Sequence, residues 1–288
     1  MDIREKGYRH WEGELKSSHL NWLPIALNGV KTVFKKKYAK LIFSLSASTF
    51  FIFLAAVYVS TKPELKILSE LVRLLKSDAE LFKTFYANGF LIFMLVILSI
   101  FSGADLISAD LKFKAFPLYF ARPLSRGDYL TGKFAIVLFY LLSFTLMPGI
   151  LLLLFKMLFT GSLTVSPLLL LAILVFPVIE CVCLASLTLA LSILSHNTKF
   201  IQIAIFLVYM FSNNLAQILK AIFKSYYFFL VSLSGNIQQL GSFLFGVKPA
   251  YAYPAWLSAL LPLVISALAV WLLVWRIRKA EAGALPPF

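Results

Sequence analysis

The chain has 288 residues, of which 60% are apolar and 14% charged, and a formal net charge of +14. That profile excludes an ordinary soluble domain, in which about a quarter of residues are charged. The basic excess does not mark a nucleic-acid binder, because it is divided among the segments that separate long apolar runs.

Residues 1–38 are polar and amphipathic, so the first apolar run lies too far along, and is too long, for the core of a cleavable signal peptide. Within them, 18–38 mixes Trp22, Leu23, Ile25, Leu27, Val30, Val33 and Phe34 with basic residues. This pattern predicts an amphipathic helix lying in the membrane interface before the chain turns inward. Residues 41–61, 84–104, 134–155, 200–219 and 249–275 then carry no charged side chain, and 157–198 carries one, Glu180. A bilayer core of about 30 Å takes roughly 20 apolar residues as helix. Barrel strands would be about 10 residues long with strict alternation. The fold class read from these windows is an all-α integral membrane protein with six transmembrane helices, forming one transmembrane domain over 1–288.

Between the first two windows, 63–83 repeats Leu65, Leu68, Leu71, Leu75, Ala79 and Phe82 at helical spacing, with Glu64, Lys66, Glu70, Arg73 and Glu80 on other faces. It reads as an outer surface helix with Pro63 in its first turn. Pro167 marks the start of the fourth span. Residues 220–248 hold YYFFLVSL, too short to cross, followed by Gly235, Gly241 and Gly246. They read as one or two short outer helices, with a re-entrant dip as one arrangement. Placing both termini in the cytoplasm puts 18 of the 27 Lys and Arg on that side, including Lys35, Lys36, Lys37, Lys40, Arg276, Arg278 and Lys279 beside membrane lipid head groups. This positive-inside asymmetry gives an N-in, C-in multi-pass protein of the cell membrane.

Few side chains carry chemistry. Glu180 is the one acid within a span and defaults to a proton or cation site, or to a protonated structural group. Asn213 and Asn214 in the fifth span are either part of a polar translocation path with Glu180 or interhelical hydrogen-bonding groups. Cys181 and Cys183 point to different helix faces, which argues against a disulfide and for small buried hydrophobes rather than a Cu(I) site. The three histidines, His10, His19 and His196, have no metal-ligand spacing. No cofactor is expected. Gly127 to Lys133 has the outline of a phosphate-binding loop, but Phe134 replaces the Ser or Thr that would hold magnesium and no buried strand precedes it. Ser125 followed by Asp128 is instead a capping-box pattern that starts a helix at Arg126.

The segment 105–133 is the most informative. Five aromatic residues, Phe113, Phe116, Tyr119, Phe120 and Tyr129, alternate with Asp105, Asp110, Lys112, Lys114, Arg122 and Arg126. A merely solvated loop does not need those rings. The composition predicts a helix over 109–122 that presents aromatic and charged groups to a soluble partner, a corner at Pro123, and a lever from Arg126 into the third span.

This wording resembles the signature of type-2 ATP-binding-cassette (ABC) permeases. The matching residues are Leu106, Ile107, Ser108 and Asp110, then Pro117, Leu118, Tyr119 and Arg122 to Arg126, then Asp128, Tyr129, Leu130, Gly132 and Lys133. The chain departs from the family at Lys112 to Phe116, where a small or acidic residue followed by Gly is usual. The resemblance implies a permease subunit of an exporter that performs no chemistry itself. Its segment 105–133 would be a cytoplasmic coupling helix docking on a separate ABC ATPase subunit, present in two copies, with a second permease copy (itself or a close paralogue) completing the pathway. The docking residues it implies are Asp110, Lys112, Phe113, Phe116, Pro117, Leu118, Tyr119, Arg122, Pro123, Arg126 and Asp128. The competing readings are a secondary transporter or channel built on Glu180, and a membrane anchor that recruits a soluble assembly.

Overall fold

The computed structural model describes residues 20–60, 77–120, 124–161 and 165–281. Every element among them is helical. In chain order they are α1 (Leu23–Phe34), α2 (Lys37–Ser60), α3 (Asp78–Tyr86), α4 (Gly89–Lys112), α5 (Phe116–Phe120), α6 (Arg126–Thr160), α7 (Pro167–Ser192) and α8 (Thr198–Phe223). A 3₁₀ helix (Tyr226–Val231), α9 (Leu233–Leu244) and α10 (Ala255–Glu281) complete the chain. Six of these helices are long and apolar enough to cross a membrane: α2, α4 with α3 leading into it, α6, α7, α8 and α10. The six-helix expectation therefore holds.

Local chemistry sets the ends. Asn88 accepts hydrogen bonds from the Phe90 and Leu91 amides and restarts the chain as α4. At the head of α6, Ser125 Oγ accepts from the Asp128 amide at 3.0 Å while Asp128 Oδ2 accepts from the Ser125 amide at 3.1 Å. This is the reciprocal box read from the sequence. Gly161, at φ 66°, ends α6, and Pro167 opens α7 as expected. Residues 61–76, which hold most of the predicted outer helix, lie outside the described residues. Its remaining part is α3, capped by Ser77.

Helix α7 is the centre of the bundle and packs on α4, α6 and α10. Its approach to α4 is close: a Cβ on Gly103 would stand 2.6 Å from Thr188 Cγ2. In a membrane, small residues of this kind let helices associate through dispersion contacts. Spans α2, α8 and α10 are peripheral and leave most of their surface uncovered. The predicted interfacial helix is present as α1, separated from α2 by a turn at Lys35 and Lys36. It lies along α6, where Gly29 faces Ile136, Gly132 faces Ile25, and Tyr140 donates to the Val30 carbonyl at 2.7 Å.

Residues 220–248 form two short helices after Phe223, as the sequence suggested. Their polar side chains are consumed internally. Asn236 Nδ2 donates to the Leu230 and Ser232 carbonyls, both at 2.7 Å. Gln239 donates to the Tyr251 and Tyr253 carbonyls and accepts from the Tyr251 amide, so it locks the segment that leads into α10.

Candidate functional site

The segment 105–133 is built differently from the single helix expected over 109–122. Asp105 to Lys112 are the last two turns of α4, which continues well past its apolar run. Lys114 then takes the left-handed conformation, φ 50°. The Ala115 amide donates to the Asp110 carbonyl at 2.8 Å, and the Lys114 amide to that of Leu111 at 3.2 Å. These two bonds form a Schellman termination, in which the left-handed position is usually Gly. The helix stops there because the chain turns to satisfy its last carbonyls, and only the short α5 follows. Arg122 and Pro123 lie outside the described residues.

Two ion pairs fasten this region to the bundle. Lys133 Nζ stands 2.7 Å from Asp110 Oδ2, with both side chains largely buried. The same ammonium donates to the Leu106 carbonyl at 2.8 Å, and Tyr129 donates its hydroxyl to Asp110 Oδ2 at 2.6 Å. Lys133 lies 5.6 Å and 5.4 Å from the ring centres of Tyr119 and Tyr129, within cation–π range. Phe116 also packs on Tyr129, 5.6 Å between centroids. Burial, and after it the charge of Asp110, raises the Tyr119 phenol above its ordinary pKa. In the second pair, Lys36 meets Asp105 at 2.5 Å and also donates to the Phe101 carbonyl, tying the α1–α2 turn to α4. Between α1, α4 and α6 lies a cavity of about 750 Å³, with Asn28, Lys36, Asp105, Tyr119 and Lys133 in its lining.

The residues expected at one docking surface therefore divide. Lys112, Phe113, Pro117, Leu118 and Arg126 are exposed, with Phe113 at 75% and Leu118 at 73% of full exposure. Asp110, Phe116 and Tyr119 turn inward to the Lys133 cluster, and Asp128 serves the cap of α6. Asp110 and Phe116 thus face the bundle, whereas Phe113 and Leu118 face outward. Asp105 and Lys133, which make these ion pairs, stand directly at the margins of apolar runs, and that position was their signal in the sequence.

No family model and no curated protein sequence matches this chain.

The three residues considered for a path are dispersed. Glu180 is 2% exposed, and neither carboxyl oxygen has a hydrogen-bond partner among the described residues. It borders a small cavity lined by Asn236, Leu240 and Pro262, not by Asn213 or Asn214. Asn213 Oδ1 accepts from Ser232 Oγ at 3.2 Å and holds α8 to the start of α9. Asn214 is exposed on α8. Lys156 pairs with Asp78, not with Glu180. Cys181 and Cys183 are free thiols, and Cys181 Sγ lies 3.3 Å from Thr145 Oγ1.

Proposed function

We propose that this chain is the membrane-spanning subunit of an ABC-type exporter of the type-2 class. ATP would be hydrolysed in a separate cytoplasmic subunit, and two copies of the chain, or the chain and a close paralogue, would form the pathway. Both termini and the segment 105–133 are cytoplasmic in this reading, as the distribution of Lys and Arg favours.

One observation carries the proposal. Exposed Phe113, Pro117 and Leu118 follow Lys112 at the end of α4 and precede Arg126 at the head of α6, and contacts of Asp110, Phe116 and Tyr119 with Tyr129 and Lys133 fasten this edge to the bundle. A partner pushing on that edge would move two spans together, because Asp110 and Lys133 couple their ends. Exposed apolar groups with a charged rim are the composition of a protein interface.

Co-expression with the cassette ATPase of the same host tests the reading. The wild-type chain should co-purify with the ATPase and raise its hydrolysis rate. Phe113→Asp, Leu118→Asp and Arg126→Glu should each abolish both effects while the permease still accumulates in the membrane. Retained assembly and stimulation in all three would refute the docking assignment.

A second reading, a secondary transporter or channel, draws on Glu180, whose buried carboxyl has no hydrogen-bond partner among the described residues. Under it, vesicles containing this chain alone would show a pH-dependent flux that Glu180→Gln removes. No ATPase would be needed.

A further inference from the structure

The cavity between α1, α4 and α6 has a mixed lining. Ile25, Leu106 and Ile136 give it apolar surface, and Lys36, Asp105 and Tyr119 give it polar groups. Its volume of about 750 Å³ falls in the range of sites that enclose a small ligand. Asp105 directly follows the apolar run 84–104, and Lys133, also in the lining, directly precedes the run 134–155. Both therefore stand at head-group level when those runs cross a bilayer.

The charges at this cavity cancel, because Lys36 pairs with Asp105 and Lys133 with Asp110. The first pair still has capacity to spare, and both its side chains remain about a third exposed. An ammonium has three N–H donors, of which Lys36 uses two, on Asp105 Oδ2 and the Phe101 carbonyl. A carboxylate accepts about four hydrogen bonds. Asp105 takes that of Lys36 on Oδ2, and its buried Oδ1 has no partner among the described residues. The Tyr119 hydroxyl adds a group that both donates and accepts.

A cation with a donor left, an anion with acceptor capacity left and no net charge suit a zwitterion better than an anion. The apolar surface beside them suits hydrocarbon. We propose that this cavity holds the head group of one aminophospholipid of the ethanolamine type. Its phosphate accepts from Lys36 and Tyr119, its ammonium donates to the Asp105 carboxylate, and its chains lie against the apolar lining. Charge-assisted bonds of this kind are short and strong. A choline head group has no N–H to give Asp105, and a glycerol head group brings a net negative charge to a neutral site. The bound lipid would touch α1, α4 and α6 together, linking the interfacial helix to the helix ends that Asp110 and Lys133 join. This site is separate from the exposed edge at Phe113 and Leu118, and its occupancy requires neither an ATPase nor a second copy.

Native mass spectrometry of the full chain tests it, with the protein delipidated in detergent and titrated with synthetic lipids of identical chains. One phosphatidylethanolamine per chain should survive collision energies that strip phosphatidylcholine and phosphatidylglycerol. Asn28→Trp and Thr32→Trp, at exposed α1 positions in the cavity lining, should each remove that adduct by filling the space. Phe211→Trp, on the exposed surface of α8, should retain it. Asp105→Asn leaves Lys36 unmatched and should shift the preference toward phosphatidylglycerol by about tenfold, the effect of one charge-assisted hydrogen bond. The head-group series on the unaltered chain needs no variant. Equal retention of the three lipids there, or a preference for phosphatidylglycerol, would overturn the site. So would an undiminished phosphatidylethanolamine adduct in both Trp variants. Glycerophosphoethanolamine, the same head group without chains, should not compete at the lipid's saturating concentration. Effective competition would assign the cavity to a soluble phosphoester and overturn the lipid assignment.

Discussion

Asp110 and Lys133 lie on different helices, and their charged atoms stand 2.7 Å apart beneath the rings of Tyr119 and Tyr129. The pair closes the gap between the end of α4 and the start of α6. Removing one member of a buried pair leaves the other charged and unmatched, at a cost of about 3 kcal/mol. Lys133→Met should therefore lower thermal stability in detergent more than Asp110→Asn does, because Asn retains a hydrogen bond to Tyr129. The double variant should recover part of the loss. Strictly additive losses in that cycle would show that the two residues do not interact.

Lys114 offers a test in the opposite direction. Its left-handed backbone costs a residue with a Cβ about 1 kcal/mol relative to Gly. Lys114→Gly should raise the unfolding midpoint without changing the shape of the transition, as followed by tryptophan fluorescence in detergent. A lower midpoint would contradict the termination geometry described for α4.

The contact between α1 and α6 depends on small residues. A Cβ on Gly132 would stand 2.9 Å from Ile25 Cβ and 3.1 Å from the Trp22 carbonyl oxygen, so backbone would have to move. Gly132→Val should cost about 1–3 kcal/mol, as overpacking does. Gly127→Ala meets nothing closer than Ser125 Oγ at 3.6 Å and should stay close to wild type. Unfolding midpoints of the two variants, measured side by side, check the contrast.

Tyr119 gives a pH dependence with a defined sign. Its phenol is raised above the ordinary 10.0 in the folded protein, first by burial and then by Asp110. The unfolded chain therefore ionises this group first. The stabilising effect of the neutral phenol is complete below pH 10 and is lost as pH climbs through the folded-state value. Stability should fall on raising the pH above about 10, and Tyr119→Phe should flatten that fall. An unchanged alkaline slope would contradict the buried placement of the phenol.

Much of this architecture is legible in the residues. Five charge-free runs of about 20 or more, and a sixth that holds only Glu180, locate the six long apolar helices, because a bilayer punishes unpaired charge. The Ser125–Asp128 box and Pro167 mark helix starts through purely local chemistry, so they appear in the structure where the sequence puts them. The segment 105–133 was harder to read. Composition suggested one helix over 109–122, but α4 ends at Lys112 through a backbone termination made by Lys114, a residue that gives no turn signal. The inward turn of Asp110 and Phe116 depends on Lys133 and Tyr129, which approach only in the folded bundle. Pairings of that kind have no local signature. The dispersal of Glu180, Asn213 and Asn214 had the same cause: Glu180 borders the cavity at Asn236, Asn213 meets Ser232, and Asn214 is left exposed.

The central claim is that the exposed edge at Phe113 and Leu118 receives a cassette ATPase. A photo-cross-linking amino acid placed at Leu118, with a matched one at exposed Leu158 near the opposite end of α6, tests it most directly in the native host membrane. The account predicts a covalent adduct at position 118, identified by mass spectrometry as a nucleotide-binding cassette subunit, and no such adduct at 158. Adducts at 118 that contain only lipid or unrelated protein, in cells where that ATPase is present, would contradict it.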